Sequence, residues 1–350
     1  VGHRRRAAEC VHCDFVAGRL RLVGFAHIIY LKGTYTVTAV QAIGVDSSFH
    51  NPLLINGYSV ARDDGSKATW TTATNSINLI DVGGLTNAIF KNIIFSNTAT
   101  TKGTGGSAGN GIIPTSANAS AVLFANCVFD GFTLGFNLDW QNIAYTILNL
   151  QLDTCEIKNC VSHGLITTGQ CAIAGCYFHN NGGDGFRCGI TASSSAGQNG
   201  TSAVAFSVFY GNGGNGITNE STVGLSSGSQ SMLVLLNNCF VGNTGSGVVS
   251  PTDATGSTMA WNNIFYGNGA YGYHSLGFSG AGQYTVCALP RGNAYGANTT
   301  ADRLGFPVGP SDVSLTADPF TNSSGGDFTL NSTTGGGAAC KAAGYQSTII

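Results

Sequence analysis

Charge is what this chain has least of. Its 350 residues carry 15 basic and 17 acidic side chains, 9% in all, for a formal net charge of −2, where soluble domains run at about 25%. So sparse and balanced a set provides no basic field for nucleic acid. Proline is also scarce, 7 residues beside 51 glycines. The glycines keep no three-residue period, which excludes a collagen-like triple helix. No apolar run approaches the roughly 18 residues of a membrane helix; Met232-Leu-Val-Leu-Leu236 is about the longest. No segment sustains a 3.6-residue apolar period. What is present is ample apolar material, 43% hydrophobic with 19 Phe and 12 Tyr, which excludes general disorder. The remaining polarity is Asn, Ser and Thr, which solubilise without charge.

Cysteine is frequent enough to matter. The eleven residues stand at 10, 13, 127, 155, 160, 171, 176, 188, 239, 287 and 340. An odd count leaves at least one thiol unpaired in a monomer. Several interior thiols are expected, with a few bridges among the remainder, and the redox compartment stays open. Cys10-Val-His-Cys13, with His3 and His12 nearby, has metal-ligand spacing. A zinc site needs four ligands and no second cysteine pair at that spacing follows. A local disulfide or free thiols are therefore expected there, and no metal or other cofactor. Arg4-Arg5-Arg6 precedes no apolar segment of signal-peptide type. Six Asn-x-Ser/Thr sequons, at Asn118, Asn199, Asn219, Asn298, Asn322 and Asn331, are what this composition gives by chance and argue nothing about secretion.

Self-similarity is the strongest signal. Asn126-Cys-Val-Phe-Asp-Gly131, Gly175-Cys-Tyr-Phe-His-Asn180, Ser207-Val-Phe-Tyr-Gly-Asn212, Asn238-Cys-Phe-Val-Gly-Asn243 and Asn263-Ile-Phe-Tyr-Gly-Asn268 share one pattern. Its large apolar anchors are Phe95, Phe129, Ile157, Phe178, Phe209, Phe240 and Phe265, spaced by 34, 28, 21, 31, 31 and 25 residues. Three residues past the anchor stands Asn181, Asn212, Asn243 or Asn268. Seven past it stands Gly164, Gly185, Gly216, Gly247 or Gly272, each before an apolar residue. Short β-branched and aromatic runs precede the anchors. Fixed short turns beside length-tolerant loops suit a solenoid whose insertions all emerge on one side. Stacking puts equivalent residues about 4.8 Å apart. The anchors then form an internal stack, each Phe contributing roughly 1.5–3 kcal/mol by transfer. The Asn column would hydrogen-bond turn backbone and its neighbours. The Gly column suggests positive φ. Cys127, Cys155 and Cys176 share an interior column two before the anchor.

At this point the chain resembles the right-handed parallel β-helix repeat proteins of the pectin-lyase-like superfamily. The repeats from about Leu85 to Ser275 carry most of the likeness. Ile28-Ile-Tyr-Leu-Lys-Gly-Thr-Tyr35 is similar to the opening strand motif, and Asp318 to Leu330 to the closing segment of many secreted, phage-borne or cell-surface members. The resemblance implies an all-β, right-handed parallel β-helix (solenoid) with an irregular C-terminal closure. An N-terminal arm or cap would occupy 1–27, the solenoid 28–290 and a Gly-rich closing segment 291–350. The first coils fall near Val37, Leu53–Ile55, Thr69–Trp70 and Leu79–Val82. Long loops are expected at Thr98–Ala117, Ala192–Ser202 and Asn219–Ser231.

Column alignment also tests for chemistry that linear spacing hides. Six after the anchor the column reads His163, Asp184, Asn215, Ser246, Tyr271, with Arg187 close by. A His–Asp pair beside an arginine is the candidate catalytic set, suited to general acid–base work; the competing expectation is a hydrogen-bond ladder. One after the anchor stand Asp130, Lys158, His179 and Tyr210, read as solvated pairing. Polysaccharide-cleaving members use an Asn-x-Asp, an Asp pair, a Gly-His-Gly and an Arg-x-Lys on adjacent coils. Here Asp63-Asp64 and Ser162-His163-Gly164 lie about a hundred residues apart, and no Arg-x-Lys follows. Asp63-Asp64 reads instead as a turn with Gly65. A lyase needs clustered Asp for Ca²⁺, and from Cys188 to Pro290 the carboxylates are Glu220 and Asp253 alone.

Two functions are weighed. The first is a structural or adhesive β-helix at the cell or virion surface, or otherwise extracellular. It would self-associate as a homo-oligomer, a trimeric fibre or head-to-tail filament, since the end coils of a β-helix cap, pair or polymerise. The second is a polysaccharide-binding or polysaccharide-cleaving lyase or hydrolase, with surface glycans as partners and outward Tyr177, Tyr210, Tyr266 and Tyr271 stacking sugars or shielding sheet surface.

Overall fold

A computed structural model describes residues 27–42, 52–62, 65–75, 77–100, 109–115, 119–138, 147–190, 201–221, 231–250, 256–275 and 288–344. Short strands follow one another in sets of three, and each set lies on the one before. The result is three long sheets of 10, 11 and 10 strands in which every paired neighbour is parallel. The first strand of each set builds sheet 1, the second sheet 2 and the third sheet 3. Parallel crossovers take the right hand, and the chain is a right-handed parallel β-helix.

The corners explain the sequence pattern. Between sheets 1 and 2 the chain turns on one residue in the left-handed region: Asn92, Asn126, Thr154, Gly175, Phe206, Asn237, Asn262 or Gly292, at φ of 51–63°. Between sheets 2 and 3 a second such residue recurs at Gly131, Asn159, Asn180, Gly211, Gly242 and Gly267. Asn and Gly tolerate this conformation best. Connections of variable length fall mostly between sheet 3 and sheet 1, as between Ile190 and Thr201 or Ser221 and Ser231. The long connection from Asn97 to Ile112, however, joins sheet 2 to sheet 3, and that from Tyr58 to Ala68 joins sheet 1 to sheet 2, so the expectation of a single corner holds only in part. The loop boundaries need correction. Residues 98–117 contain the sheet 3 strand Ile112–Ile113, and the strands Thr201–Ala205, Ile217–Ser221 and Ser231–Leu236 take residues from the ends of the other two.

The anchors do stack. Phe95, Phe129, Ile157, Phe178, Phe209, Phe240 and Phe265 pair in register along sheet 2. Ring centroids lie 4.9 Å apart for Phe178–Phe209, 5.1 Å for Phe209–Phe240 and 5.0 Å for Phe240–Phe265. Trp70 extends the file below and Tyr295 above. Phe90 and Phe124 make a second stack in sheet 1 at 4.8 Å.

Asn181, Asn212, Asn243 and Asn268 form the expected ladder, and Asn298 continues it. Each Nδ2 donates to the Oδ1 of the next Asn at 2.9–3.0 Å. Each also donates to a main-chain carbonyl of the preceding coil, Asn212 to Phe178 and Asn243 to Phe209. The cysteine column opens a second ladder: Cys155, Cys176, Ser207, Asn238, Asn263 and Asn293 each offer the main-chain N–H to the side chain one coil on, ending on Asp312. Burial pushes the Cys127 and Cys176 thiols up, helped by the Cys155 thiol between them. The expectation for the Gly column was wrong in its reason. None of Gly164, Gly185, Gly216, Gly247 and Gly272 has positive φ. A Cβ there would instead sit 2.5–2.8 Å from a main-chain oxygen of the next coil, so close approach of the coils demands glycine.

The coil also runs past residue 290. Strands Ala288–Arg291, Ala294–Gly296, Ala301–Leu304 and Val313–Ser314 add to the three sheets, which moves the boundary with the closing segment to about 314. Phe306 then stacks on Tyr273 at 3.8 Å over the end of the core. Beyond it, the hairpin Phe320–Asn322 with Asp327–Leu330 and the helix Gly337–Ala343 fold back over sheet 2. They bury Val241, Ile264 and Ala294 against Leu315, Phe320 and Cys340. The N-terminal arm, Cys10, Cys13 and the Asp63-Asp64 pair lie outside the described residues.

Candidate functional site

The three candidate catalytic residues do come together. His163 and Asp184 occupy the same turn position on successive coils, between sheets 2 and 3, and Arg187 lies on the sheet 3 strand Phe186–Ile190. His163 Nδ1 is 3.5 Å from an Asp184 carboxylate oxygen, and Arg187 Nη1 is 3.4 Å from His163 Nε2. The shortest contact, however, is to backbone. The Asp184 main-chain N–H donates to His163 Nδ1 at 2.8 Å. Asp184 Oδ1 accepts the Asn215 N–H at 2.7 Å, Asn215 Oδ1 the Ser246 N–H at 2.7 Å, and Ser246 Oγ the Tyr271 N–H at 3.3 Å. The whole column is therefore a third ladder running coil to coil. Nδ1 accepts a main-chain hydrogen, and Nε2 faces the guanidinium of Arg187, which can only donate. A general base needs a lone pair aimed at substrate, and both ring nitrogens are turned to protein.

A second charged cluster lies on the outer face of sheet 2, and the sequence reading found only part of it. Lys158 Nζ and His179 Nε2 both reach Glu156 Oε1 at 2.9 Å. Lys158 thus pairs along its own strand with Glu156, while Asp130 accepts from the Asn159 amide. Glu156 was missed because it precedes the anchor by one, whereas Lys158 and His179 follow theirs by one. Strand alternation puts both columns on one face, and that signal was available. Burial alone would raise the Glu156 carboxyl; the hydrogen bonds from Lys158 and His179 outweigh it and hold it below its ordinary value.

The outward tyrosines divide. Tyr177 and Tyr210 pack on Phe328 of the closing hairpin, at 5.9 and 5.2 Å between centroids, and Tyr266 joins the same cluster. Burial pushes the Tyr177 hydroxyl up to about 12. These three shield sheet surface. Tyr271 lies instead against the His274 ring, 4.5 Å away. Between the closing helix and the corner of sheets 1 and 2 lies a cleft of about 500 Å³, lined among others by Asn237, Asn262, Ile264, Phe328 and Lys341. Its make-up is carboxamide and apolar, with one cation at the rim.

No protein-family model matches the chain, and no curated protein does. Solved structures of similar shape include the A-module of the Azotobacter vinelandii mannuronan C-5 epimerase AlgE4, at 13% identity and TM-score 0.46 over 87% of this chain and 76% of that one. The periplasmic alginate epimerase AlgG is 14% identical, with TM-score 0.40 over 86% and 78%. Tailspike protein 3 of bacteriophage CBA120 is 11% identical, with TM-score 0.40 over 85% of this chain and 55% of that one. By its own strand order and register, this chain is a right-handed parallel β-helix protein of the three-sheet, pectin-lyase-like architecture.

Proposed function

We propose that this protein is a non-catalytic structural and adhesive β-helix of extracellular type, one that holds surface glycans rather than cutting them. The observation that carries this reading is the ladder through His163 and Asp184, in which His163 Nδ1 and Asp184 Oδ1 each accept a main-chain N–H of the next coil. Connections of variable length on a rigid rod are suited to recognition. The cleft at Asn237 and Asn262 adds to it: carboxamides over an apolar floor, in about 500 Å³, fit one neutral sugar unit. A glycan array probed with the full chain, alongside an assay for new reducing or unsaturated ends on acidic and neutral polysaccharides, tests it. Binding without turnover is the expected result, and the Asn237→Gly variant, which keeps the left-handed turn, should bind more weakly.

The second reading is a polysaccharide-modifying enzyme. It is favoured by the approach of His163, Asp184 and Arg187 to within 3.5 Å of one another along the chain of contacts. Turnover that disappears in His163→Ala and Asp184→Asn would establish it in place of the first.

A further inference from the structure

The outer face of sheet 1 holds a pattern that the scaffold reading does not explain. Six successive strands run in register: Asn149–Asp153, Gln170–Ala174, Thr201–Ala205, Ser231–Leu236, Gly256–Trp261 and Ala288–Arg291. One outward row across them reads Asp153, Ala174, Ala205, Leu236, Trp261, Arg291, and its neighbour Gln151, Ala172, Ala203, Val234, Met259, Leu289. Asp153 and Arg291, both exposed, flank the first row. Between them no outward residue is charged, and small side chains fill one half while large ones fill the other. Leu289 and Met232 are 46% and 37% exposed. At the end of the row Phe206 follows Ala205 with φ of 53° and 68% of its surface exposed, a conformation that bulky residues rarely hold.

We propose that this face is a two-fold interface whose occupant is a second copy of the chain. The order of the row is what selects that partner. Take an axis lying in the interface, along the strands, between Thr201–Ala205 and Ser231–Leu236. It brings Asp153 opposite the partner's Arg291, Ala174 opposite the partner's Trp261, and Ala205 opposite the partner's Leu236. In the neighbouring row it brings Ala172 opposite the partner's Met259 and Ala203 opposite the partner's Val234. Trp261, Leu236, Met259 and Val234 each meet an alanine, Gln151 meets the partner's Leu289, and the two charges at the rim meet their opposites, twice over. Such self-complementarity is the mark of an isologous contact, and sheets pack face to face with their strands nearly aligned. Six strands at about 4.8 Å and three outward positions at about 6.6 Å give a face of roughly 600 Å² per subunit. That makes about 1,200 Å² in all, enough for a specific interface at the lower end of the stable range. Phe206 lies at the edge of the same face, where the exposed turn at the partner's Asn237 would cover it. The inference rests on the scaffold reading and names its self-association: a side-by-side pair of rods, in place of the trimeric fibre or head-to-tail filament expected from the sequence.

Sedimentation velocity on the full chain, from low micromolar to about 100 μM, reads the assembly directly. The wild type should be a monomer–dimer system. Asp153→Arg or Arg291→Asp alone should weaken the dimer by about tenfold or more, and the two together should restore it to within about threefold. Ala203→Glu, at an exposed position that leaves the coil intact, should abolish it, with circular dichroism confirming the fold of each variant. Phe206→Gly should loosen the dimer while its melting temperature, measured at a concentration where all variants are monomeric, holds or rises. A wild type that stays monomeric, a trimer, a dimer indifferent to Ala203→Glu, or a charge-swapped double variant as weak as the singles would each overturn the proposal. Glycan binding and turnover read on the same samples keep the two ideas apart: turnover would end the scaffold reading, and a monomer that still binds glycans would end only this one.

Discussion

Each asparagine of the main ladder holds two coils at once. Asn212 accepts from both the main-chain N–H and the Nδ2 of Asn181, and donates to Phe178 O and to Asn243 Oδ1. Truncation therefore strands buried donors on Asn181, each costing about 1–3 kcal/mol. Asn212→Ala should lose about 3–5 kcal/mol in urea unfolding; a loss below about 1 kcal/mol would mean that water replaces the amide without penalty. Gly216 tests a different contact. A methyl group there would lie 2.5 Å from Gly247 O and 2.8 Å from the Phe240 ring, and neither can retreat within a stacked file. Gly216→Ala should destabilise by about 2–3 kcal/mol through overpacking, although its backbone angles suit any residue. A neutral outcome would show that neighbouring coils can part locally. The sequence pointed to both positions, but it gave the wrong reason for the second: a recurrent glycine looks the same whether it serves φ or close approach.

At the scale of elements, the closing segment decides which side chains remain available. Tyr177, Tyr210 and Tyr266 alternate outward on their strands, as period two requires, and no pattern within the repeats says that Phe328 will cover them. Phe328 lies 62 to 151 residues further along the chain than these tyrosines, and its packing is a tertiary event. The Glu156 cluster lies beside this cover. Its carboxyl is held below the ordinary 4.5, so its contribution is present above that value and fades as the pH falls through the lower folded value. Glu156→Gln should lower stability by about 0.5–1 kcal/mol at neutral pH. The gap from wild type should close as the pH falls through that lowered value. Unfolding curves at several pH values check the sign, and a gap that widened in acid would mean that the carboxyl is better bound when protonated.

For the whole molecule, the consequence of stacking is near one-dimensional energetics, in which each coil answers only to its neighbours. Asn212 and Asn243 are 31 residues apart and occupy the same place in the coil. Deleting residues 212–242 removes one winding and rejoins Gly211 to Asn243 with every ladder still in register. The shortened chain should fold with an unchanged circular dichroism spectrum per residue and a melting temperature within a few degrees of the parent. Removing about half as many residues, 212–226, joins Gly211 to Ser227 and takes out the sheet 3 strand of one coil alone, and should prevent folding. Both deletions behaving alike would contradict the coil as the unit of stability. At the C-terminal end of the rod Phe306 stacks on Tyr273 and Arg303 pairs with Asp312 at 2.9 Å.

By itself the sequence determined the winding. Anchors such as Phe178, Phe209 and Phe240, asparagines three residues on and glycines seven on repeat because each winding must present the same shape to the next. A periodic physical demand leaves a periodic trace. Only the tertiary structure decided what the repeated positions were for. It turned His163 and Asp184 toward backbone, covered the tyrosines of sheet 2, and left the face between Asp153 and Arg291 uncovered by any described segment. Those outcomes depend on which atom of a side chain meets which neighbour, and on segments folding back from far along the chain. Neither is written in spacing.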